Sequence, residues 1–552
     1  MRKPTRLNDG EGRRRGRRGF LPEEGGSASD RSPRFRRGNG DGMSRRKANA
    51  TREAPAVAAC DRQPDSREGQ AGPNGVTERF VVVPTPGNAG RAKEPQFKDN
   101  ATSGTGPQRL AMSLPTLETI QKLQTALHAK AKGEPGFRFY ALYDKVYRKD
   151  VLWIAWRRCL VNGGAPGVDG QTFEDIEAYD ETKWLEELAE ELRTKTYQPQ
   201  AVRRVYIPKP DGKQRPLGIP TIKDRVVQTA LLIVLEPIFE ADLQPEQYAY
   251  RADRSALDAV QVVHHLLNTG HTEVVDADLS GYFDSIPHAE LMQCVARRVS
   301  DKAVLHLIKL WLVAAVEEKD ARGHVHRTTR NKDEGRGSPQ GSPISPLLAN
   351  LYMRRFVLGW KTLGHEQRFS ARIVNYADDF VICCRGTAQQ AAAAMRSMMQ
   401  KLKLTVNETK THVCRVPDES FDFLGYTLGR CYSKQTGRAY LGTQPARKKI
   451  RSLCESIHEM TDRRYGLLEP EIVVTRLNRR LRGWANYFRL GPVSQAYRAV
   501  DCHATSRLRQ WLCRKHKVPG RGTARFPDAY LYNELGLVRL PDLTRNFPWA
   551  KA

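Results

Sequence analysis

No apolar run in these 552 residues approaches the roughly 20 needed to cross a bilayer, so the pattern holds no membrane-spanning helix. The basic N-terminus is not followed by a hydrophobic stretch, and no secretory signal is expected. The ten cysteines include no C-x-x-C pair. Cys502-His503 and Cys513-x-x-His516 come nearest to zinc ligands, but without paired spacing they read as reduced thiols and ordinary histidines. Acidic residues are in deficit: 62 Asp and Glu face 90 Lys and Arg, a net charge of +28. Such a field suits a polyanion. With membrane signals missing, nucleic acid is the expected partner and the bacterial cytoplasm or nucleoid the expected location.

Composition divides the chain. Residues 1–110 are rich in Gly, Arg, Ser, Pro and Asp, with a charge block at Arg13-Arg14-Arg15-Gly16-Arg17-Arg18. This segment cannot bury enough surface to offset ordering entropy and is expected to be disordered, either as a basic RNA-contacting arm or as an over-long start ahead of Met43 or Met112. Residues 111–200 are patterned as helices around a Gly/Pro-dense loop at 162–172. Residues 201–430 mix strand and helix signals, beginning with a basic hairpin at 203–220 that turns at Pro210-Asp211-Gly212 among Lys209, Lys213 and Arg215. Helices are predicted over 221–240, from the capping box Ser255-x-x-Asp258 to Gly270, over 288–299, 303–316 and 347–358, and after a Thr387-x-x-Gln390 cap. The stripe Met395, Met398, Met399, Leu402 reads as core filler. Residues 440–520 form a basic helical module in which Arg447, Lys448, Lys449, Arg479, Arg480 and Arg482 are interleaved with Trp484, Tyr487 and Phe488. Arginine pairs with phosphate and aromatic faces stack on unpaired bases, so this module is expected to hold RNA, although the same aromatics suit a helical core. Residues 521–552 read as a short tail.

Two stretches carry chemistry. In residues 372–383, apolar β-prone runs flank Asp378-Asp379, which puts both acids at a hairpin turn without the usual Asn-Gly or Asp-Gly. Adjacent carboxylates repel unless a cation lies between them. Mg²⁺ prefers oxygen ligands and is often shared with substrate phosphates. In residues 272–287 a strand ends with Asp276 and Asp278 on one face, either of which is placed to complete a metal site with Asp378 and Asp379. The Gly/Pro-rich entry at 337–346 presents backbone N–H groups and the Gln340 side chain to a ligand at a helix start. Separated acids, a basic hairpin and an RNA-like charge field together suit in-line phosphoryl transfer by two Mg²⁺ ions, with Mn²⁺ as a substitute.

The motif Tyr376-Ala377-Asp378-Asp379 resembles the signature of reverse transcriptases. Its surroundings are similar to the group II intron-encoded reverse transcriptase/maturases: the 162–172 loop, the 206–220 hairpin, Asp278-Leu279-Ser280-Gly281-Tyr282-Phe283-Asp284, the run GSPQGSPISPLLAN at 337–350, Phe423-Leu424-Gly425-Tyr426, and Arg482-Gly483-Trp484-Ala485-Asn486-Tyr487-Phe488. The likeness runs in order from about residue 140 to 515. It implies an α+β fold: a right-hand polymerase, with fingers and an antiparallel palm sheet over 201–430 and an α-helical thumb/maturase (X) domain over 440–520. The implied activity is RNA-directed DNA polymerase, copying intron RNA and binding it to assist splicing and mobility. Residue by residue, it implies Mg²⁺ ligation by Asp278, Asp378 and Asp379, and exclusion of a ribose 2′-hydroxyl by Phe283. Lys209 and Arg215 would hold the triphosphate, Gln340 would contact the incoming dNTP, and Asp276 and Asp284 would be structural. Expected partners are intron RNA, template RNA, primer or target DNA and dNTPs, with a second copy of the chain as a further candidate in a homodimer. Many relatives end in an endonuclease with paired cysteines. The residues after 516 lack them, so no endonuclease is expected, and integration into single-stranded or replicating DNA would suit the chain. The alternative is a reverse transcriptase repurposed in a bacterial defence or diversity-generating system.

Overall fold

The computed structural model describes residues 114–208, 212, 214–320, 322–433 and 435–544. The expectation of disorder over 1–110 therefore lies outside the described residues. Among them are eleven strands: β1 (Val202–Pro208), β2 (Gln214–Ile219), β3 (Glu273–Asp278), β4 (Val316–Lys319), β5 (Val325–Thr328), β6 (Arg372–Tyr376), β7 (Asp379–Cys384), β8 (His412–Arg415), β9 (Phe421–Phe423), β10 (Tyr426–Tyr432) and β11 (Ala439–Pro445). They form three sheets, ordered β2-β1-β4-β5, β6-β7-β3-β8 and β11-β10-β9.

The second sheet is the centre of the molecule. Its β3 is paired antiparallel on both sides, to β7 and to β8. Successive side chains alternate between faces. Val275, Ala277, Ile373, Phe380 and Ile382 join the main core, together with residues of the helices Ile222–Glu240, Ser345–Thr362 and Ala388–Lys401. Val274, Val374, Val381 and Cys383 face the other way, where the helix Ala256–Asn268 and β9–β10 cover part of the sheet. The helix Ile222–Glu240 is buried almost all round, as its continuous apolar sequence demands. Met395, Met398, Met399 and Leu402 are buried against the sheet, as the stripe predicts.

Four expectations need correction. Residues 303–316 are not one helix: the helix Lys302–Leu312 ends early, and Val316 begins β4, which pairs parallel with β1 through Val202. Both β4 and β5 are four residues long and β5 is wholly exposed, so no apolar alternation marks them. Thr387 does not cap its helix through its side chain; the hydroxyl donates instead to the Phe369 carbonyl. The hairpin β10–β11 runs across the 430–440 boundary expected between palm and thumb. Residues beyond 520 are no loose tail: Phe526, Leu531, Leu537 and Leu540 are buried in the core of the helices Arg447–Met460, Pro470–Tyr487 and Ser494–Lys515, and the Leu540 N–H donates to Asp501 Oδ1 at 3.0 Å.

The helices ahead of β1 are tied to the rest by buried polar contacts. Arg225 donates to the Ala165 carbonyl at 2.5 Å, which holds the 162–172 loop against the helix Ile222–Glu240. Arg298 is fully buried. Its guanidinium donates to the carbonyls of Glu134 (2.9 Å), Pro135 (2.6 Å) and Phe137 (3.2 Å), and to that of Ala131, at the end of the helix Leu114–Gly133. Replacing it strands four acceptors and leaves a cavity. Arg298→Ala is expected to cost about 3–5 kcal/mol. The check is thermal unfolding combined with limited proteolysis: the melting temperature should fall and cleavage around residues 134–137 should rise.

Candidate active site

Strand β3 ends at Asp278, directly opposite Asp379, the first residue of β7. Directly paired residues in an antiparallel sheet have Cβ atoms about 4.5–5.5 Å apart. Asp378 occupies the turn between β6 and β7, since Tyr376 pairs with Asp379 across only Ala377 and Asp378. The pairing therefore brings Asp278, Asp378 and Asp379 together at one end of the sheet. Asp276 shares their face but sits opposite Val381 and His412, and its carboxylate lies 3.8 Å from His412 Nε2. Of the two candidates on β3, Asp278 is the one beside the Asp378–Asp379 pair.

The turn is held from inside. Ala377 has φ of 58°, a left-handed conformation that an alanine adopts only at a cost of about 1 kcal/mol or more. Asn375, fully buried, donates from Nδ2 to the Ala377 carbonyl at 2.9 Å. Its backbone is gripped in turn, donating to the Glu246 carbonyl at 2.9 Å and accepting from the Tyr248 N–H at 3.0 Å. Gln247 donates to the Asn350 carbonyl, and Asn350 Nδ2 donates to the Ala249 carbonyl at 2.7 Å. The final residue of the 337–350 motif thus reaches the carboxylate turn through three buried amide side chains. The sequence reading missed Asn375, Gln247 and Asn350; a polar residue inside an apolar strand was the available signal.

The electrostatics reflect crowding of like charge. Burial, then the charge of Asp278, raises the Asp378 carboxyl, while Arg215 and Lys410 oppose the rise. Asp379 is exposed on its open side, yet the protein around it and the charges of Asp378, Asp278 and Asp276 push its carboxyl up to about 7. Tyr250 is raised by burial and next by Asp378, with Arg215 acting against. Lys410, also missed from sequence, places Nζ 2.9 Å from Asp278 Oδ2, and Asn407 Nδ2 donates to the same oxygen at 3.0 Å. With Asp278 turned to these groups, no cluster of three or more metal-ligating side chains is preformed among the described residues. The donor set nevertheless fits a hard divalent cation: three carboxylates meet at one sheet end, the charge of Asp278 helps raise both Asp378 and Asp379, and Lys410 offsets part of that charge.

The other predicted residues surround this end of the sheet. Phe283 lies half-buried in the short helix Tyr282–Ser285, its ring 5.8 Å from that of Tyr282, and its carbonyl accepts from the Ser338 N–H at 2.8 Å. Gln340 offers its carbonyl to the Gly218 N–H of β2 at 2.6 Å, which joins the 337–341 loop to the basic hairpin. The approach is so close that a Cβ on Gly341, at φ of 114°, would collide with the Gly218 carbonyl. Arg215 is exposed on β2 and its charge reaches Asp378. Lys209 lies outside the described residues. Asp284 is exposed on its open side, yet the protein around it raises its carboxyl, with the charges of Arg204 and Arg330 acting against the rise. In the helical module, Arg447, Lys448, Lys449, Arg479, Arg480 and Arg482 are exposed. The aromatics there are not free to stack on bases: the Phe488 ring packs 5.2 Å from that of Tyr426, Trp484 packs 4.9 Å from Phe488, and the Tyr487 hydroxyl donates to the Leu424 carbonyl. They fasten the module to β10.

Residues 207–428 match the family described as reverse transcriptase (RNA-dependent DNA polymerase), and residues 450–526 match the group II intron maturase-specific domain. Protein YkfC of Escherichia coli K12 is 34% identical over 375 residues, covering 61% of this chain and 95% of that protein. The chain belongs to the group II intron-encoded reverse transcriptase/maturases. It is an RNA-directed DNA polymerase of a family that works with divalent metal ions and on RNA. The group II intron-encoded protein LtrA of Lactococcus lactis subsp. cremoris is 27% identical over 436 residues, covering 64% of this chain and 71% of that one. Telomerase from Candida albicans, solved with a fragment of telomeric RNA, aligns over 65% of this chain and 69% of that one at 13% identity, with a TM-score of 0.35.

The Asn375 amide is expected to matter to the rate of this reverse transcriptase rather than to substrate affinity. Asn375→Ala removes one buried hydrogen bond from the turn that aims Asp378, worth about 1–1.5 kcal/mol or roughly tenfold in rate. Steady-state primer extension should show kcat lowered with KM for dNTP nearly unchanged.

Proposed function

We propose that the chain copies intron RNA into cDNA by two-metal nucleotidyl transfer, and that the same chain binds the intron RNA to support its splicing and mobility. The observation that carries the polymerase half is the Asp278–Asp379 register, which brings two acids distant in sequence to one sheet end beside Asp378. Asp278, Asp378 and Asp379 would hold the metal ions, Mg²⁺ by the all-oxygen donor set, with Mn²⁺ as a substitute. Bound there, such ions lower the pKa of a 3′-hydroxyl and offset charge on the departing pyrophosphate.

The chain's own residues supply the rest. Arg215, with Lys209 on the same hairpin, would neutralise the triphosphate, whose seat is bounded by the hairpin and by the 337–341 loop that is bonded to it. The Phe283 ring would fill the space that a 2′-hydroxyl needs, and its position is set by the Ser338 contact to its carbonyl. Gln340 would meet the incoming dNTP from the same loop. The Lys410 ammonium, 2.9 Å from Asp278 Oδ2, holds that carboxylate in place. The RNA-binding half is supported by the exposed cations Arg447, Lys448, Lys449, Arg479, Arg480 and Arg482 on the helices of the maturase-specific region. These form a charge surface for phosphates, without aromatic stacking. A polymerase of this kind would act in the bacterial cytoplasm or nucleoid, where intron transcripts and target DNA meet.

Primer extension on poly(rA)/oligo(dT) tests the first half. Asp378→Ala should lower cDNA synthesis by roughly a thousandfold or more, the scale expected when an essential charge-stabilising group is lost, while protein-assisted splicing of the intron stays largely intact. Loss of both activities in a folded variant would contradict separate sites. For the gate, Phe283→Ala should lower the ratio of kcat/KM for dNTP over rNTP by roughly tenfold or more, since steric exclusion is worth at least the ~1–3 kcal/mol of a pocket contact. An unchanged ratio would remove Phe283 from that role.

A further inference from the structure

On the side of the central sheet away from the carboxylates, the helices His288–Ala296 and Ser345–Thr362 pack together over a cavity of about 200 Å³. Arg297, Arg354, Arg355, Glu290 and Gln293 line it, with Phe239 among the apolar residues that close it. Three guanidinium groups around so small a space repel one another, and the nearby carboxylates are already engaged. Asp242 is shared between Arg297 at 2.8 Å and Arg298 at 3.2 Å. Glu290 is held by Lys403 at 2.5 Å. Arg354 spends its Nε on the Asp242 carbonyl at 2.6 Å, and Arg355 lies 5.3 Å over the Tyr352 ring. Neither of these two is ion-paired to a carboxylate among the described residues. Arg355 Nη1 is buried and has no hydrogen-bond partner. A buried donor left unpaired is costly, more so on a charged group. Burial and the charge of Arg297 also lower the proton affinity of Arg354, a sign that positive charge is under-compensated here.

We propose that this cavity is a seat for a phosphate group, separate from the polymerase site. A tetrahedral oxyanion would accept from the orphaned Arg355 Nη1 and from the forks of Arg297 and Arg354, the geometry for which guanidinium is suited. The cavity opens on the opposite face of the sheet from Asp278, Asp378 and Asp379, so its occupant is neither the incoming dNTP nor the primer terminus. Two sources carry this chemistry: the backbone of a bound RNA, and free phosphate. Arg354 and Arg355 stand on the helix that follows the 337–341 loop, so either occupant would brace the element on which Gln340 is mounted.

The test uses the full-length protein with Arg355→Gln, and with Arg297→Gln on the exposed rim as a second variant that the fold tolerates more readily. A far-UV circular dichroism spectrum matching the wild type and a single cooperative melt in sodium chloride certify that each variant is folded. The wild type should melt higher in sodium phosphate than in sodium chloride at equal ionic strength, and both variants should lose most of that difference. Filter binding of a structured RNA across salt concentrations separates the sources. If RNA backbone fills the seat, each variant binds RNA more weakly and its log–log salt slope falls by about 0.7–0.9. If free phosphate fills it, RNA binding is unchanged while the phosphate shift is lost. A phosphate shift retained in both variants, or absent from the wild type, overturns the proposal.

Discussion

The pairing of β3 with β7 is the constraint on which everything else rests. One register sets Asp278 against Asp379 and, through the two-residue turn, places Asp378 beside them. A slip of one residue would send the carboxylates into the helical core and the apolar residues to the open face. The slip is prevented by burial on both sides of the sheet, where Val275, Ala277, Phe380 and Ile382 face the helices and Val274, Val381 and Cys383 face β9–β10. Hydrophobic burial thus stabilises an arrangement that electrostatics alone would disperse. The raised carboxyls of Asp378 and Asp379 record the strain of that arrangement, and Lys410 offsets part of it.

The same economy appears around the turn. An alanine is held in a left-handed conformation because Asn375 bonds to its carbonyl, and Asn375 is itself locked by residues 246 and 248. The motif that begins at Gly337 therefore serves the site at both ends. Its loop joins the basic hairpin through Gln340 and Gly218, and its far end joins the carboxylate turn through Asn350. Fingers, palm and turn are coupled by backbone contacts too close for any side chain at Gly341.

Much of this was legible in the sequence because it rests on short-range patterns. The apolar runs beside Asp378-Asp379, the capping box at Ser255 and the continuous apolar helix after Thr221 each state their own structure. The β4–β5 hairpin was not legible: both strands are four residues long, β5 is exposed throughout, and β4 exists because β1 offers it an edge. Trp484, Tyr487 and Phe488 suit either base stacking or a core by local pattern, and the choice is made by Tyr426, about 60 positions away in the chain, which packs on Tyr487 and Phe488 while Trp484 packs on Phe488. Lys410 and Asn407 carried no signal because their meaning lies wholly in the return of the chain to Asp278. Residues 526–540 read as tail because their apolar residues fall in short turns with no long helical period, yet they close the helical module.

The central claim, that three aspartates share a pair of divalent ions, is tested most directly by iron-mediated cleavage. Fe²⁺ substituted for Mg²⁺ in a complex with primer, template and dNTP generates hydroxyl radicals at the metal and cuts the nearest backbone, and the fragments are mapped by mass spectrometry. The account predicts two concentrated cleavage sites, one around residue 278 and one around residues 378–379, both suppressed by excess Mg²⁺ and by Asp378→Ala. Cleavage at only one of these positions, or centred elsewhere in the chain, would contradict it.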